Sequence, residues 1–124
     1  MVTFTITGIV PNTNGFDSYT YKISDTMTKG LELSESLAEF SIKFGDKAID
    51  VKPVYKDNGF TLTFDMTKYQ EYVGQEITIT YKALVTEDAV NSQTTKNSAT
   101  LTYSNNPKTD ETSTTPPVEE YVYS

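Results

Sequence analysis

Regular alternation of apolar and polar residues is the feature that most limits how this chain can fold. Val2, Phe4 and Ile6 alternate with threonines, and Phe60, Leu62 and later residues repeat the pattern. Successive side chains of a strand point to opposite faces, so a period of two predicts half-buried strands. Candidate strands lie at 2–7, 19–25, 40–44, 48–55, 60–66, 77–85, 97–103 and 118–123. We therefore predict an all-β chain of seven to nine short strands, in an antiparallel sandwich of immunoglobulin-like type.

Turn-forming and polar segments separate these strands. Tight connections are predicted at 11–15, 26–30, 45–46 and 57–59, and loops at 86–96 and 107–117. Pro53 favours an edge position for the strand at 48–55, because proline cannot donate a ladder hydrogen bond. Leu31, Leu33 and Leu37 fit either a short helical turn or an irregular edge strand, and residues 66–74 are expected to hold one helical turn.

The length of 124 residues is most simply one domain, 1–124, with the loop 107–117 preceding a last strand at 118–123. Met1 leads directly into the alternating segment, as if in mid-strand. We therefore expect the chain to be part of a longer protein in which the first strand of the domain is truncated.

Charge and composition exclude several classes of function. The net charge is −7, with ten lysines and no arginine, which argues against binding to nucleic acid or to an anionic membrane surface. Cysteine and histidine are absent, so disulfides, thiolate chemistry, Cys/His zinc sites and histidine-assisted nucleophiles are excluded. No cofactor is expected. The sequence also contains no signal peptide, transmembrane run or sorting motif.

Two polar residues occupy the inward phase of predicted strands. Asp25 continues the phase of Tyr21 and Ile23, and Asn97 begins the phase that includes Ala99. Both side chains should therefore enter the core, where an uncompensated polar group is costly. Every lysine, in contrast, is predicted to lie in a connection or on the outward phase of a strand.

Three ordered motifs give the pair a chemical interpretation. Residues 21–31, Tyr-Lys-Ile-Ser-Asp-Thr followed by Lys-Gly-Leu, resemble the Y-x-I-x-D-T…x-G-L segment of Gram-positive pilin D2-type domains. Residues 77–83 resemble the I-T-I-T-Y-x-A strand of that family, and residues 97–107 its N-x-A-x-L-x-Y-S-N-x-P strand. The motifs occur in family order, and the resemblance covers nearly the whole chain.

The resemblance implies a CnaA-type sandwich with a spontaneous isopeptide bond. In such domains a lysine on the first strand forms the bond with an asparagine near the end of the domain, and a neighbouring acid assists. Residue by residue, Asn97 matches the acceptor and Asp25 the acid, while the lysine would lie upstream of Val2, outside this chain. The resemblance also implies an extracellular location in a cell wall or pilus, with neighbouring pilin subunits as partners. The reaction would be autocatalytic and occur once, so no enzymatic turnover is expected.

The chemistry accounts for these residue types. Burial lowers the pKa of a lysine amine and raises that of a carboxylic acid, which favours a neutral nucleophile beside a neutral acid. Asp25 could then polarise the Asn97 carbonyl and shuttle protons as ammonia leaves. Rings from Phe4, Tyr21 or Phe64 are expected to exclude water.

Simpler interpretations are open at the same residues. Asp25 could cap the following turn, and Asn97 could simply begin a strand. Asn12, Asn14 and Asp17 form an oxygen-rich loop, but its spacing fits a turn better than a calcium site. Three functions remain: a covalently cross-linked pilin or adhesin domain, an engineered or split acceptor that captures a lysine-bearing peptide, and a ligand-binding adhesin module.

Overall fold

The computed structural model describes residues 1–89 and 95–122 and contains two antiparallel β-sheets. In chain order the strands are β1 (Val2–Ile9), β2 (Thr20–Met27), β3 (Leu31–Glu32), β4 (Ser41–Phe44), β5 (Lys47–Ala48), β6 (Val54–Lys56), β7 (Gly59–Asp65), β8 (Glu76–Val85), β9 (Lys96–Ser104), β10 (Thr112–Thr114) and β11 (Val118–Tyr121). The helices are α1 (Glu35–Ala38) and a 3-10 helix, Met66–Tyr72. No helix within the described ranges is both long and apolar enough to cross a membrane.

The first sheet has the order β1-β8-β4-β5, with β3 also paired to β8. The second has the order β10-β9-β2-β7-β6, with β11 also paired to β9. Their inner faces enclose one apolar core, which confirms the predicted antiparallel β-sandwich.

Alternation along the long strands builds this core. In β8 the side chains of Ile77, Ile79, Tyr81 and Ala83 are all buried, whereas the intervening residues are not. Phe60, Leu62 and Phe64 bury the matching face of the second sheet. The period of two therefore identified the inward residues of both sheets.

Local signals explain two of the connections. Asp57 and Asn58 both have positive φ, of 51° and 58°, as the type I′ turn of a two-residue hairpin requires, and they join β6 to β7. The helical turn expected at 66–74 is the 3-10 helix, which Asp65 caps by accepting a hydrogen bond from the Thr67 backbone. The ambiguous leucine segment contains both a short strand, β3, and the helix α1.

The prediction of a continuous strand at 48–55 is wrong. Here the chain leaves the first sheet after β5, which pairs with β4, and enters the second at β6, which pairs with β7. The segment between them contains Pro53 and crosses from one sheet to the other, so it cannot keep a single ladder.

Other boundaries also need correction. The predicted loop 107–117 contains β10, whose residues are too polar to show alternation but pair with Thr102–Ser104 of β9. The strand predicted at 118–123 is β11, which ends at Tyr121, so the prediction is too long by at least Val122. Tyr123 lies outside the described residues. The described ranges hold eleven strands, not seven to nine. The predicted loop 86–96 lies partly outside the described residues, and its last residue, Lys96, begins β9.

Candidate functional site

Asp25 and Asn97 are both buried, with 2% and 5% of their surface exposed. Asp25 lies on β2 and Asn97 on the neighbouring β9, where Asp25 pairs with Ala99 and Met27 with Asn97. An offset of two residues keeps both side chains on the core face, as diagonal neighbours. The two inward polar groups predicted from phase are therefore adjacent in the fold.

The hydroxyl of Tyr81 joins the two side chains from the opposite sheet. It donates a hydrogen bond to Asp25 Oδ2 at 2.6 Å and accepts one from Asn97 Nδ2 at 2.8 Å. We call Asp25, Tyr81 and Asn97 the polar cluster. Its three members come from three strands and two sheets, so only the folded chain assembles it.

Aromatic rings hold the Tyr81 side chain in place. Phe40 stacks on its ring with centroids 5.6 Å apart, Phe60 meets it edge to face at 4.9 Å, and Phe4 lies at 5.6 Å. Such contacts fix the ring and exclude water from the hydroxyl. Of the rings expected to shield the site, Phe4 does so directly, whereas Phe64 packs against Tyr21, Phe44 and Tyr69.

Two oxygen atoms of the polar cluster have no hydrogen-bond partner within the described part of the chain. They are Asp25 Oδ1 and Asn97 Oδ1, and both are buried. A buried acceptor without a donor is costly and uncommon in native proteins. The pair therefore lacks a hydrogen-bond donor for each of these two oxygens.

Burial also changes the acidity of the cluster. Desolvation raises the pKa of Asp25 from 3.8 to about 6, although the hydrogen bond from Tyr81 and the nearby Asn97 amide partly oppose it. The pKa of Tyr81 is raised as well, first by desolvation and then by the neighbouring Asp25 carboxylate. A neutral carboxylic acid is thus accessible near neutral pH, and the phenol stays neutral.

A cavity of about 400 Å³ adjoins the cluster at one side of the sandwich. It lies between β1 of the first sheet and β9 and β11 of the second, and Tyr81 and Asn97 form part of its wall. The rest of the wall is mixed: Phe4, Ile6, Tyr21, Ile23, Ala99, Leu101 and Val118 are apolar, and Thr5, Thr7, Thr100, Thr115 and Glu120 are polar. Within the described ranges β1 pairs only with β8, so its other edge is unpaired beside this cavity. We call this space the lateral cavity.

All ten lysines lie in the described ranges, and none is among the buried residues. Lys82 forms an ion pair with Glu39, and Lys96 with Glu119, both at the surface. No amine of residues 1–89 and 95–122 therefore lies inside the core, which confirms the prediction that no lysine enters it. Lys47 and Lys56, which were expected in connections, lie in β5 and β6.

The oxygen-rich loop with Asn12, Asn14 and Asp17 forms a turn, as its spacing predicted. The backbone N–H of Asn14 donates to the Asn12 side chain at 2.9 Å, an Asx turn. Across the described ranges, no group of three or more acidic residues is placed to hold a metal ion.

Comparison with known proteins gives structural matches only. No protein-family model matches the sequence, and comparison with characterised proteins finds no significant match. The T6 backbone pilin of serotype M6 Streptococcus pyogenes matches with a TM-score of 0.74 and 23% identity, over 98% of this chain and 30% of that one. The major pilin GBS80 of Streptococcus agalactiae, as a 35 kDa C-terminal fragment, gives 0.72 and 17%, over 98% and 49%.

A third match is a collagen-binding domain from a Staphylococcus aureus adhesin, with a TM-score of 0.61 and 13% identity, over 98% of this chain and 87% of that one. This chain spans less than half of either pilin structure. At these identities the likeness establishes the fold, a β-sandwich shared with pilin and collagen-binding domains.

Sequence reasoning found Asp25 and Asn97 but missed Tyr81 as a member of the cluster. The signal was present, because Tyr81 continues the inward phase of Ile77 and Ile79. A buried tyrosine hydroxyl generally needs a hydrogen-bond partner, and the two inward polar residues were the available candidates.

Proposed function

We propose that this chain is a structural domain of a Gram-positive surface pilin or adhesin that forms a Lys–Asn isopeptide bond at Asn97, with Asp25 as the acid. One observation carries the proposal: Asp25 and Asn97 are buried together, each with an unpaired oxygen, and Asn97 forms part of the wall of the lateral cavity. An amine in that cavity would supply the missing donor and the nucleophile at once.

The reaction balances without a cofactor. The neutral lysine Nζ attacks Cγ of Asn97 and forms a new C–N bond, and the bond from Cγ to Nδ2 breaks. One proton passes from the attacking amine to the departing nitrogen, which leaves as ammonia. Asp25 accepts and returns protons in this exchange, while the buried site holds the reactants in contact. The bond forms once, so the domain is not an enzyme.

The amine must come from outside residues 1–124. The ten lysines of the chain are all excluded from the core, whereas the lateral cavity lies beside the unpaired edge of β1. A lysine-bearing strand could add to this edge and place its side chain among the apolar residues of the cavity. Such a strand would come either from the same protein or from a separate peptide, and in the second case the chain acts as a covalent acceptor.

A covalent link across the sandwich suits a mechanical role outside the cell. A cross-link reduces the freedom of the unfolded chain, as a disulfide does, and this chain has no cysteine. The pilin structures that share the fold support a place in a cell-wall pilus, with neighbouring subunits as partners.

The experiment uses short peptides of alternating valine and threonine with arginine at both ends. Each carries one lysine in the valine phase, at a different position in each peptide. We expect at least one peptide to give a conjugate that survives boiling in denaturant, with a mass one ammonia below the sum of its parts. Asn97→Ala and Asp25→Ala should abolish the conjugate, and Asn14→Ala, at an exposed asparagine, should not.

Replacing the peptide lysine by norleucine is the matched control for the nucleophile and should also abolish the product. If no lysine position gives a conjugate with the unaltered chain, the isopeptide proposal is wrong.

A second candidate function is ligand binding by an adhesin module. It is favoured by the collagen-binding domain of Staphylococcus aureus, of which 87% is matched by this chain. Binding to immobilised collagen that is equal in the unaltered chain and in Asn97→Ala would support this function, and the absence of binding would reject it.

A further inference from the structure

Tyr81 occupies the position between the acid and the atom that must leave. Its oxygen lies 2.6 Å from Asp25 Oδ2 and 2.8 Å from Asn97 Nδ2, and no other hydrogen-bond partner of Nδ2 is present in the described ranges. The orphaned oxygens Asp25 Oδ1 and Asn97 Oδ1 are left for the incoming amine. Of the Asn97 amide, the phenol therefore contacts the nitrogen that leaves as ammonia and not the carbonyl oxygen.

We propose that Tyr81 is a catalytic proton relay that carries a proton from Asp25 to the departing Asn97 nitrogen. This inference rests on the proposed function and adds a residue to it.

The direction of the hydrogen bonds explains why the relay would act only after attack. In the amide, Nδ2 is planar and donates to the phenol oxygen, so it has no lone pair to receive a proton. Attack at Cγ makes this nitrogen tetrahedral and gives it a basic lone pair that faces the same phenol. Both hydrogen bonds of the phenol can then reverse: its proton turns from Asp25 Oδ2 to this nitrogen, and Oδ2 of the neutral acid carries the carboxyl proton and donates to the phenol oxygen. This arrangement is specific to the tetrahedral intermediate.

The proton balance closes within the cluster. The amine gives one proton to Asp25 Oδ1, and the proton on Oδ2 of the neutral acid passes to the phenol oxygen. The phenol proton passes at the same time to Nδ2, the Cγ–Nδ2 bond breaks, and ammonia leaves. Asp25 and Tyr81 end as they began, a carboxylic acid and a neutral phenol.

Two properties of Tyr81 support this role. Phe4, Phe40 and Phe60 fix its ring, so the hydroxyl is held in place before the reaction. Burial and the adjacent Asp25 carboxylate raise its pKa, which disfavours a free phenolate and favours transfer of both protons in one step. The other titratable group that acts on Tyr81 is Glu120, at the wall of the lateral cavity.

The test measures the rate of conjugate formation at saturating concentration of the reactive peptide. Tyr81→Phe keeps the ring but removes the relay, and we expect the rate to fall by about 100-fold or more, the usual contribution of a positioned acid or base. Tyr69→Phe, which removes a hydroxyl from a ring packed on Phe44 and Phe64, should react at the unaltered rate. Thermal unfolding of each variant shows whether it is folded at the reaction temperature.

A second measurement tests the relay in the unaltered chain as well as in the variant. In mixtures of light and heavy water, two protons moving together give a curved dependence of rate on deuterium content, whereas one moving proton gives a straight line. We expect a curve for the unaltered chain and a line for Tyr81→Phe. A straight line for the unaltered chain, or an unaltered rate in Tyr81→Phe, would overturn the relay alone. Absence of any reaction in the unaltered chain would overturn the proposed function and the relay with it.

Discussion

The carboxyl group of Asp25 is the residue on which the chemistry of the site depends. It is 2% exposed, and its nearest polar partners are a phenol and an amide rather than a cation. Its charged form is therefore destabilised, which raises the pKa to about 6. This cost to stability is consistent with a group kept for its reactivity.

The pH dependence of stability tests this environment. The pKa of Asp25 is higher in the folded chain than the ordinary 3.8, so the folded state binds more protons between about pH 4 and pH 6. The contribution of Asp25 to stability therefore falls as pH rises through this window, by about 3 kcal/mol in total. We expect Asp25→Asn to gain stability relative to the unaltered chain by most of that amount between pH 4 and pH 7 in urea unfolding.

Asp65 provides a control of opposite sign. Burial raises its pKa, but hydrogen bonds from Tyr19 and Thr67 outweigh this effect and lower the pKa below its ordinary value. Its stabilising contribution is present above the unfolded pKa and is lost as pH falls. Asp65→Asn should therefore lose stability relative to the unaltered chain as pH rises. Parallel pH profiles for Asp25→Asn and the unaltered chain would contradict the account of Asp25.

Strand phase alone was enough to predict the burial of Asp25 and Asn97, because alternation assigns every residue of a strand to a face. It could not predict the Tyr81 bridge, which depends on how far a side chain of β8 reaches across the core to β2 and β9. That distance is set by the packing of the two sheets and is not encoded in the pattern of either strand.

At the scale of elements, β7 places Asp25 through an unusually close approach. Gly59, at the start of β7, pairs with Thr26, and a Cβ added to it would lie 2.0 Å from the Asp25 carbonyl oxygen. Only glycine allows the β6–β7 hairpin to lie against β2 at this point. The backbone position of the acid thus depends on a residue in a different strand.

Gly59→Ala should both destabilise the chain and slow the reaction. The clash is with backbone, which cannot rotate away, so we expect a loss of about 1–3 kcal/mol in the free energy of unfolding. Gly8→Ala is the control for stability, because its added Cβ would meet the Tyr21 hydroxyl, the far end of a side chain, instead of backbone. Urea unfolding of both variants and the conjugation rate of Gly59→Ala check this, and equal losses of stability in the two variants would contradict it.

Elements with strong local signals could be predicted and those defined by pairing could not. The long strands show alternation in the sequence, and the turn at Asp57–Asn58 contains residue types that tolerate positive φ. The strand β10, in contrast, consists of threonine and serine and exists because β9 offers it an edge. The change of sheet between β5 and β6 is likewise a property of the tertiary fold, and sequence alternation does not report it.

At the scale of the whole molecule, the net charge of −7 should govern how a cationic peptide finds the site. The field of an acidic protein accelerates the approach of a positive partner, and salt screens it. At low peptide concentration the conjugation rate should fall as salt is raised, while the rate at saturation should stay constant because the polar cluster is buried. A peptide flanked by glutamate should react more slowly at low salt, and its conjugation rate should rise as salt is raised. Rates independent of salt for both peptides would contradict this.

The two sheets, the polar cluster and the lateral cavity all support the same central proposal, that Asn97 is an electrophile positioned to react with an amine. The most direct test is to digest the conjugate with a protease and locate the covalent bond by tandem mass spectrometry. The account predicts a branched peptide in which the side-chain carbonyl of Asn97 is joined to the lysine Nζ, with one ammonia lost. A bond at another residue, such as Glu120 or Asp25, or an unmodified Asn97, would contradict it.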